Sequence, residues 1–244
     1  MKDIRNYIDA TYLKTAHQAG LDALKNEAVV FDVIQDAIEN NYKCLMIRPE
    51  YVSFAKEILN QHKSKVLLGT VIDFPLGKAS VEDKISEASM AINNGADELD
   101  FVINYNAFKV GNLDLVSNEI LQCTKLCIDN NKTIKWIIEV GALSNNEIVR
   151  LTSLVKQIVV RNFKEIHYQQ VFVKSSTGYY LDNDGKSIGA SPKAITLMLE
   201  NATPLHVKAS GGIKTRDEAL FYIQLGVQRI GTSNQKQFIS NKHS

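Results

Sequence analysis

The sequence predicts an α/β chain folded as a single (β/α)8 TIM barrel, and three observations carry that expectation. Short β-branched apolar runs alternate along the chain with longer segments of helical period. Eight such runs can be counted, and no Pro-, Gly- or Ser-rich linker or low-complexity tract separates them into groups. The length of 244 residues matches the roughly 250 residues typical of a closed barrel of this kind. Residues 1–244 are therefore expected to form one domain, with an open doubly wound sheet as the competing arrangement.

Taken in order, the expected strands are residues 7–9, 43–47, 66–72, 98–103, 134–139, 169–174, 205–208 and 228–231. Most are continuously apolar rather than alternating, the pattern of parallel strands covered on both faces. Between the third and fourth, Ser80-Val81-Glu82-Asp83 starts a helix whose apolar stripe is Val81, Ile85, Ala88 and Ile92, and Gly95 stops it. Ser144-Asn145-Asn146-Glu147 and Thr215-Arg216-Asp217-Glu218 are fuller capping boxes opening later helices. Ser191-Pro192 places proline at a first helical position, and Gly226 closes the helix begun at Thr215. A final helix after Asn234 is short and weakly specified.

Composition narrows the class of partner. Hydrophobic residues make up 45% and charged residues 23% of the chain, as in ordinary globular proteins. A net charge of +1 gives no electrostatic case for a nucleic acid or an anionic membrane as partner. No apolar stretch approaches the roughly 20 residues that span a bilayer, and the N-terminal residues lack a signal-peptide core. The three cysteines, Cys44, Cys123 and Cys127, form no disulfide framework, so a cytoplasmic location is expected. The five histidines show no metal-ligand spacing, and there is no Cys-x-x-Cys pair, P-loop or Gly-x-Gly-x-x-Gly. No metal and no cofactor is expected.

In such a barrel the active site lies at the C-terminal ends of the strands. Those ends supply Asp9, Met46, Asp73, Asp100, Glu139, Lys174, Lys208 and Thr232-Ser233. Lys174 and Lys208 close apolar strands in matching Val-Lys-Ser and Val-Lys-Ala contexts. One lysine at a strand end ordinarily snorkels into solvent. Two on adjacent strands point instead to an amine whose charge is depressed by burial and by its neighbour, and only the neutral amine attacks a carbonyl. Asp100 lies inside a buried run and needs a cationic partner, which either lysine can provide. For Asp73 and Glu139, hydrogen bonding behind the site or plain solvation is the competing reading. Ser210-Gly211-Gly212, Gly231-Thr232-Ser233 and Gly178 follow strands seven, eight and six, where backbone N–H groups of such barrels hold phosphate.

With these residues in view the chain resembles the deoxyribose-phosphate aldolase family, class I aldolases with a (β/α)8 barrel. The resemblance runs from Ile8 to Ser233. Its most specific parts are Phe172-Val173-Lys174-Ser175-Ser176-Thr177-Gly178, the segment from Val207-Lys208 to Gly212-Ile213-Lys214-Thr215, and Glu98-Leu99-Asp100-Phe101-Val102-Ile103-Asn104. Phe74-Pro75-Leu76-Gly77 and Ile138-Glu139-Val140-Gly141 agree with it. The resemblance implies reversible cleavage of 2-deoxy-D-ribose 5-phosphate to D-glyceraldehyde 3-phosphate and acetaldehyde. It also implies Lys174 as the Schiff-base nucleophile, Lys208 as the lysine that lowers its pKa, and Asp100 as its partner in a proton relay. Gly178, Gly211, Gly212 and Ser233 match phosphate-binding positions, and Thr177 and Asp9 join them as expected substrate contacts. A sugar phosphate and acetaldehyde are then the small-molecule partners, with a homodimer as the expected assembly.

Four departures stand out. The family's Ile-Asp-His-Thr is Ile8-Asp9-Ala10-Thr11 here. Met46 takes a place that is cysteine in many members, with Cys44 earlier on the same strand face. Tyr168-Gln169-Gln170 replaces a small, acidic lead-in to strand six. The polar tail from Gln235 to Ser244 has no tyrosine, which bears on rate rather than on reaction type. Two other functions remain open on the residues alone: a transaldolase-like Schiff-base lyase, and a non-catalytic sugar-phosphate-binding barrel.

Overall fold

Eight parallel strands close on themselves in the order β1 to β8 in the computed structural model, which describes residues 3–182, 184–185 and 188–239. The chain runs β1 (Ile8–Tyr12), α1 (Ala16–Ala19), α2 (Ala23–Asn40), β2 (Cys44–Ile47), α3 (Val52–Gln61), β3 (Leu67–Ile72), α4 (Val81–Asn93) and β4 (Glu98–Val102). It continues with α5 (Tyr105–Lys109), α6 (Leu113–Asp129), β5 (Thr133–Ile137), α7 (Asn145–Asn162), β6 (Val171–Lys174) and α8 (Pro192–Ala202). The last elements are β7 (His206–Ser210), α9 (Arg216–Leu225), β8 (Arg229–Thr232) and α10 (Gln235–Ile239). Pairing of Ile8 with Ile230 and of Asp9 with Gly231 seals the barrel. The expected fold class is the observed one, and the open sheet is excluded.

Local signals set most element ends. Both capping boxes form, at Ser144 with Glu147 and at Thr215 with Glu218. Ser80 accepts from the Asp83 N–H, Pro192 opens α8, and Gly226 ends α9 in the left-handed region that a residue without Cβ adopts freely. Strand ends shifted more. β1 runs on to Tyr12, so Asp9 lies near its start rather than at its C-terminal end. Gln169 and Gln170, the first two residues of the expected sixth strand, instead close a 3-10 helix over Glu165–Gln170. Its Tyr168 hydroxyl reaches back to the Val160 carbonyl of α7, so the segment is pulled out of the sheet. Of the polar tail, residues 240–244 lie outside the described residues.

The main apolar core lies between barrel and helices, built from residues such as Leu45, Leu68, Phe101, Trp136 and Ile195. Removing each such side chain from water stabilises the fold by about 1.5–3 kcal/mol. Trp136 also donates from Nε1 to Thr124 Oγ1 at 3.1 Å, tying β5 to α6. α4 departs from its expected stripe: Lys84, Ala88 and Ala91 are the buried positions, while Val81, Ile85 and Ile92 are only half-buried. The cause is electrostatic. The Lys84 ammonium turns inward to Glu119 of α6, to the Val102 carbonyl at 2.8 Å and to Asp73 at 3.2 Å. No helix among the described residues is long and apolar enough to cross a membrane.

This pairing generates a stability prediction. Lys84→Met leaves Glu119 buried without its cation and is expected to cost about 3–5 kcal/mol. Adding Glu119→Leu removes the orphaned carboxylate and recovers most of that loss. Urea unfolding of both variants measures it, and a double variant no more stable than the single one contradicts the account.

Candidate active site

The barrel interior is lined with charge where branched apolar residues usually sit. Alternation along the strands turns Asp9, Glu98, Asp100, Lys135, Lys174, Lys208 and Arg229 inward, and all seven are buried. Register brings them together: Asp100 pairs with Lys135 across β4 and β5, Lys174 with Lys208 across β6 and β7, and Lys208 with Arg229 across β7 and β8. Asp100 is the hub. Its Oδ1 accepts from Lys135 Nζ at 2.6 Å, and its Oδ2 accepts from Lys174 Nζ at 2.9 Å and Lys208 Nζ at 2.8 Å. Lys208 also lies 2.5 Å from Asp9 Oδ2, and Lys135 lies 2.7 Å from Glu98 Oε2. Below them Arg229 donates to Asp9 Oδ1 at 2.6 Å and to both oxygens of Glu98.

These contacts set the protonation states. Burial opposes ionisation of Asp100, yet the charges of Lys135, Lys174 and Lys208 outweigh it and hold the carboxyl well below the usual range. Asp9 and Glu98 are lowered against burial in the same way, by their lysine and Arg229 neighbours. Lys135 is raised by its three carboxylates despite burial. Lys174 moves the other way, down to about 8. Burial is the largest cause; Asp100 opposes it, and Lys208 and Lys135 push it down further. The depression expected from Lys208 is present, but desolvation comes first.

A cavity of about 330 Å³ opens above this network. Lys174 is the one lysine of the interior trio among its lining residues, although only 3% exposed. Thr177, Gly178, Gly211, Gly212 and Ser233 line it too, together with Lys14 and Lys214 at the rim. Asp9 does not line the cavity: it lies beneath, held by Lys208 and Arg229. Thr177 is present, but its hydroxyl donates its one proton to Glu139 Oε2 and accepts from the Tyr179 N–H at 3.0 Å. That hydroxyl therefore has no proton left for a phosphate oxygen, only a lone pair for a donor. Glu139 itself sits in the left-handed region at φ 54°, swung back onto this loop rather than out to solvent. Asp73 is likewise committed to the Ala79 N–H and Lys84.

Lys135, Glu98 and Arg229 escaped the sequence reading. Their signal was a charge at every second position of otherwise apolar strands, as in Glu98-Leu99-Asp100 and Ile134-Lys135-Trp136. Gly189 escaped it as well. Its Cβ would lie within 2.4–2.6 Å of the Gly211 backbone, so the loop after β6 passes directly under the loop after β7. As for metals, ligand atoms of Asp9, Cys44 and Glu98 fall within 4.8 Å of one another. The oxygens of that trio are already paired with Arg229, Lys135 and Lys208, so the protein's own cations fill the place.

Comparison with known proteins agrees with this geometry. The family model described as DeoC/LacD family aldolase matches residues 12–229. The deoxyribose-phosphate aldolase of Metamycoplasma hominis is 37% identical over 243 residues, covering 99% of each chain. That of Thermococcus gammatolerans is 35% identical over 95% of this chain and 93% of its own. The chain belongs to the deoxyribose-phosphate aldolase family. Among solved structures, this aldolase matches the tetrameric deoxyribose phosphate aldolase of Aeropyrum pernix with a TM-score of 0.76 and 25% identity, over 96% of this chain and 88% of that one. A structure described as QR15, an aldolase, matches with a TM-score of 0.79 and 29% identity over 97% and 94%.

Two departures of this aldolase from its family now have a place. Ala10, where the family commonly has histidine, faces the apolar layer under the helices, so the exchange leaves the interior network untouched. Met46 packs with Cys44, Leu13 and Val71 inside the barrel, its sulfur 4.0 Å from Lys135 Nζ.

The depressed carboxyls predict a pH dependence of stability. Groups whose folded pKa lies below the unfolded value near 4 stabilise the protein above that pH, and the contribution is lost as pH falls through the folded pKa. The urea midpoint is therefore expected to fall as pH drops below about 4. In Asp100→Asn the decline is shallower, because one linked carboxyl is gone. Midpoints measured from pH 7 to pH 3 decide it, and equal slopes in the two proteins contradict it.

Proposed function

We propose that this aldolase reversibly cleaves 2-deoxy-D-ribose 5-phosphate to D-glyceraldehyde 3-phosphate and acetaldehyde through a Schiff base on Lys174. One observation carries the reading: a single buried amine, lowered to about 8, opens from a sealed ion network into a cavity rimmed by glycine loops. At pH 7 such an amine is unprotonated about a tenth of the time, against well under a thousandth for an ordinary lysine. Its attack on the aldehyde carbon and loss of water give an iminium, which draws electrons from the carbon–carbon bond two atoms away. Breaking that bond requires removal of the proton from the substrate's C3 hydroxyl; the enamine left behind takes up a proton at carbon, and water then hydrolyses the resulting iminium to free acetaldehyde and the Lys174 amine.

Asp100 alone is a weak base for this, since three ammonium groups hold its carboxyl well down. The proton transfers are therefore assigned to the Lys208–Asp100 pair, whose partners lie 2.8 Å apart. For the phosphate dianion, the loops carrying Gly178, Gly211, Gly212 and Ser233 supply backbone donors, and Lys14 and Lys214 supply charge at the rim. Binding at this end turns the carbonyl toward the amine. Asp9 serves the reaction from beneath by holding Lys208, and Thr177 presents a lone pair to a substrate hydroxyl.

Two measurements check the proposal. Acetaldehyde followed by borohydride is expected to leave a two-carbon adduct on Lys174. Lys174→Ala then loses both adduct and turnover, and Asp100→Asn keeps its fold while turnover falls by about 10²–10⁴-fold. An adduct on Lys208 alone reverses the roles, and turnover on sedoheptulose or fructose phosphates in place of deoxyribose 5-phosphate favours the transaldolase-like alternative.

The second concerns the phosphate loops. Gly189→Ala must displace Gly211, because the added Cβ meets backbone rather than a flexible side chain. KM for deoxyribose 5-phosphate is expected to rise by about tenfold, the equivalent of roughly 1.4 kcal/mol of lost binding. Imine formation with acetaldehyde, which carries no phosphate, stays near that of the wild type. A variant with unchanged KM contradicts the placement of the phosphate.

A further inference from the structure

Arg229 lies at the bottom of the interior network, 5% exposed, with its guanidinium 5.7 Å from the Phe172 ring centroid. It reaches Asp9 and Glu98. Asp100 and Lys174 are not among its ion-pair partners in the described residues. A guanidinium does not give up its proton in a protein, so these two carboxylates are permanently engaged from below.

The remaining contacts are unequal. Lys135 spans Glu98 and Asp100 and lies 3.7 Å from Asp9, and Lys208 spans Asp9 and Asp100. Lys174 contacts Asp100 alone, through the same oxygen that Lys208 uses. Four cationic side chains thus share three carboxylates, and a fully protonated set carries one positive charge without a counter-ion. An uncompensated charge in a dry interior is costly and is shed by proton loss. Arg229 cannot shed it. Lys174 has the fewest carboxylate contacts and is the lysine of this set that opens to the cavity.

We propose that Arg229 is a positioning residue for the reaction: by occupying Asp9 and Glu98 it withholds a counter-ion from Lys174 and so keeps that amine free to attack, without touching it. This deepens the Schiff-base reading and rests on it for its consequence in turnover.

The other groups around Lys174 do not alter the count. From β4 it faces Asp100, from β5 Lys135, from β7 Lys208, and from the end of β5 Glu139. Glu139 feels the charge of Lys174, but it is engaged with Thr177, forms no ion pair with the four cations, and burial raises its carboxyl above the usual range, so it is a poor counter-ion. Beyond these stand Asp9 on β1, Glu98 on β4 and Arg229 on β8, already counted, and Cys44 on β2. Burial holds the Cys44 thiol well above its ordinary pKa and therefore neutral. The lowered pKa of Lys174 agrees with the inference.

The test reads the amine directly. Competitive labelling of ligand-free protein with acetic anhydride across pH, followed by peptide mapping, gives the titration midpoint of Lys174 without any substrate. Arg229→Gln removes the surplus cation, and its midpoint is expected to rise by about one unit or more. The free amine at pH 7 then falls about tenfold, the rate of acetaldehyde trapping falls with it, and both recover at higher pH. Glu98→Gln enlarges the surplus and moves the midpoint down. The double variant Arg229→Gln with Glu98→Gln restores the original count and is expected to restore the midpoint, a rescue that a purely structural role does not produce.

An unchanged midpoint in Arg229→Gln, or shifts of the same sign in both single variants, overturns the proposal. Should Arg229→Gln fail to fold, Glu98→Gln and the double variant decide it, and a Glu98→Gln midpoint equal to that of the wild type overturns it. Absence of any acetaldehyde adduct in the wild-type protein overturns the Schiff-base reading instead, and leaves the labelling result standing.

Discussion

A single carboxylate inside the barrel, Asp100, accepts from three lysines that arrive on three different strands. Parallel pairing makes this possible, because residues in register stand side by side and alternate residues share the interior face. The register of β4 with β5 and of β6 with β7 therefore decides the charge state of the site. A slip of one residue in any of these strands would turn its charge outward into the apolar layer beneath the helices. The network is thus a constraint on the fold as well as a source of chemistry. Each charge is tolerable because of its partners, so removing one group changes the balance felt by the others.

From that hub the interior has a direction. Downward, the charges are closed off by Arg229, Glu98 and Asp9; upward, the network ends at Lys174, where it meets the cavity. The loops above are fixed to one another rather than free. Ser175 and Ser210 exchange hydrogen bonds, Ser210 Oγ donates to the Ser176 carbonyl at 2.6 Å, and Gly189 passes beneath Gly211. Glu139 clamps Thr177 from the end of β5. Lys174 consequently sits where the ion network meets loops hydrogen-bonded to one another, an arrangement suited to holding a small molecule at one distance from one amine.

The family's departures in this chain fall where the network does not depend on them. Ala10 points away from the interior, while its neighbour Asp9 points in, so the exchange at one position spares the other. Met46 and Cys44 form an apolar wall against Val71 and Leu13, and burial raises the Cys44 thiol well above its ordinary range. An uncharged wall beside Lys135 adds nothing to the balance of charge.

By itself, the sequence determined the barrel, the caps of α7, α8 and α9, the two strand-end lysines and the aspartate between them. Those features are local: a capping box, a proline or an apolar run is legible within a few residues because its physical cause lies within a few residues. Asp9 was misplaced because the end of β1 is set by pairing with β2 and β8, not by its own composition. The inward turn of Lys84 depended on Glu119, a residue 35 positions away. Lys135, Glu98 and Arg229 resembled surface charges until closure of the barrel put them on its inner face. Only the tertiary structure decided which cations share which carboxylate, and with that which amine is left able to lose its proton. Charges acquire that meaning from neighbours in space, and strand pairing brings those neighbours from as far as 220 residues away in the chain, as with Asp9 and Arg229.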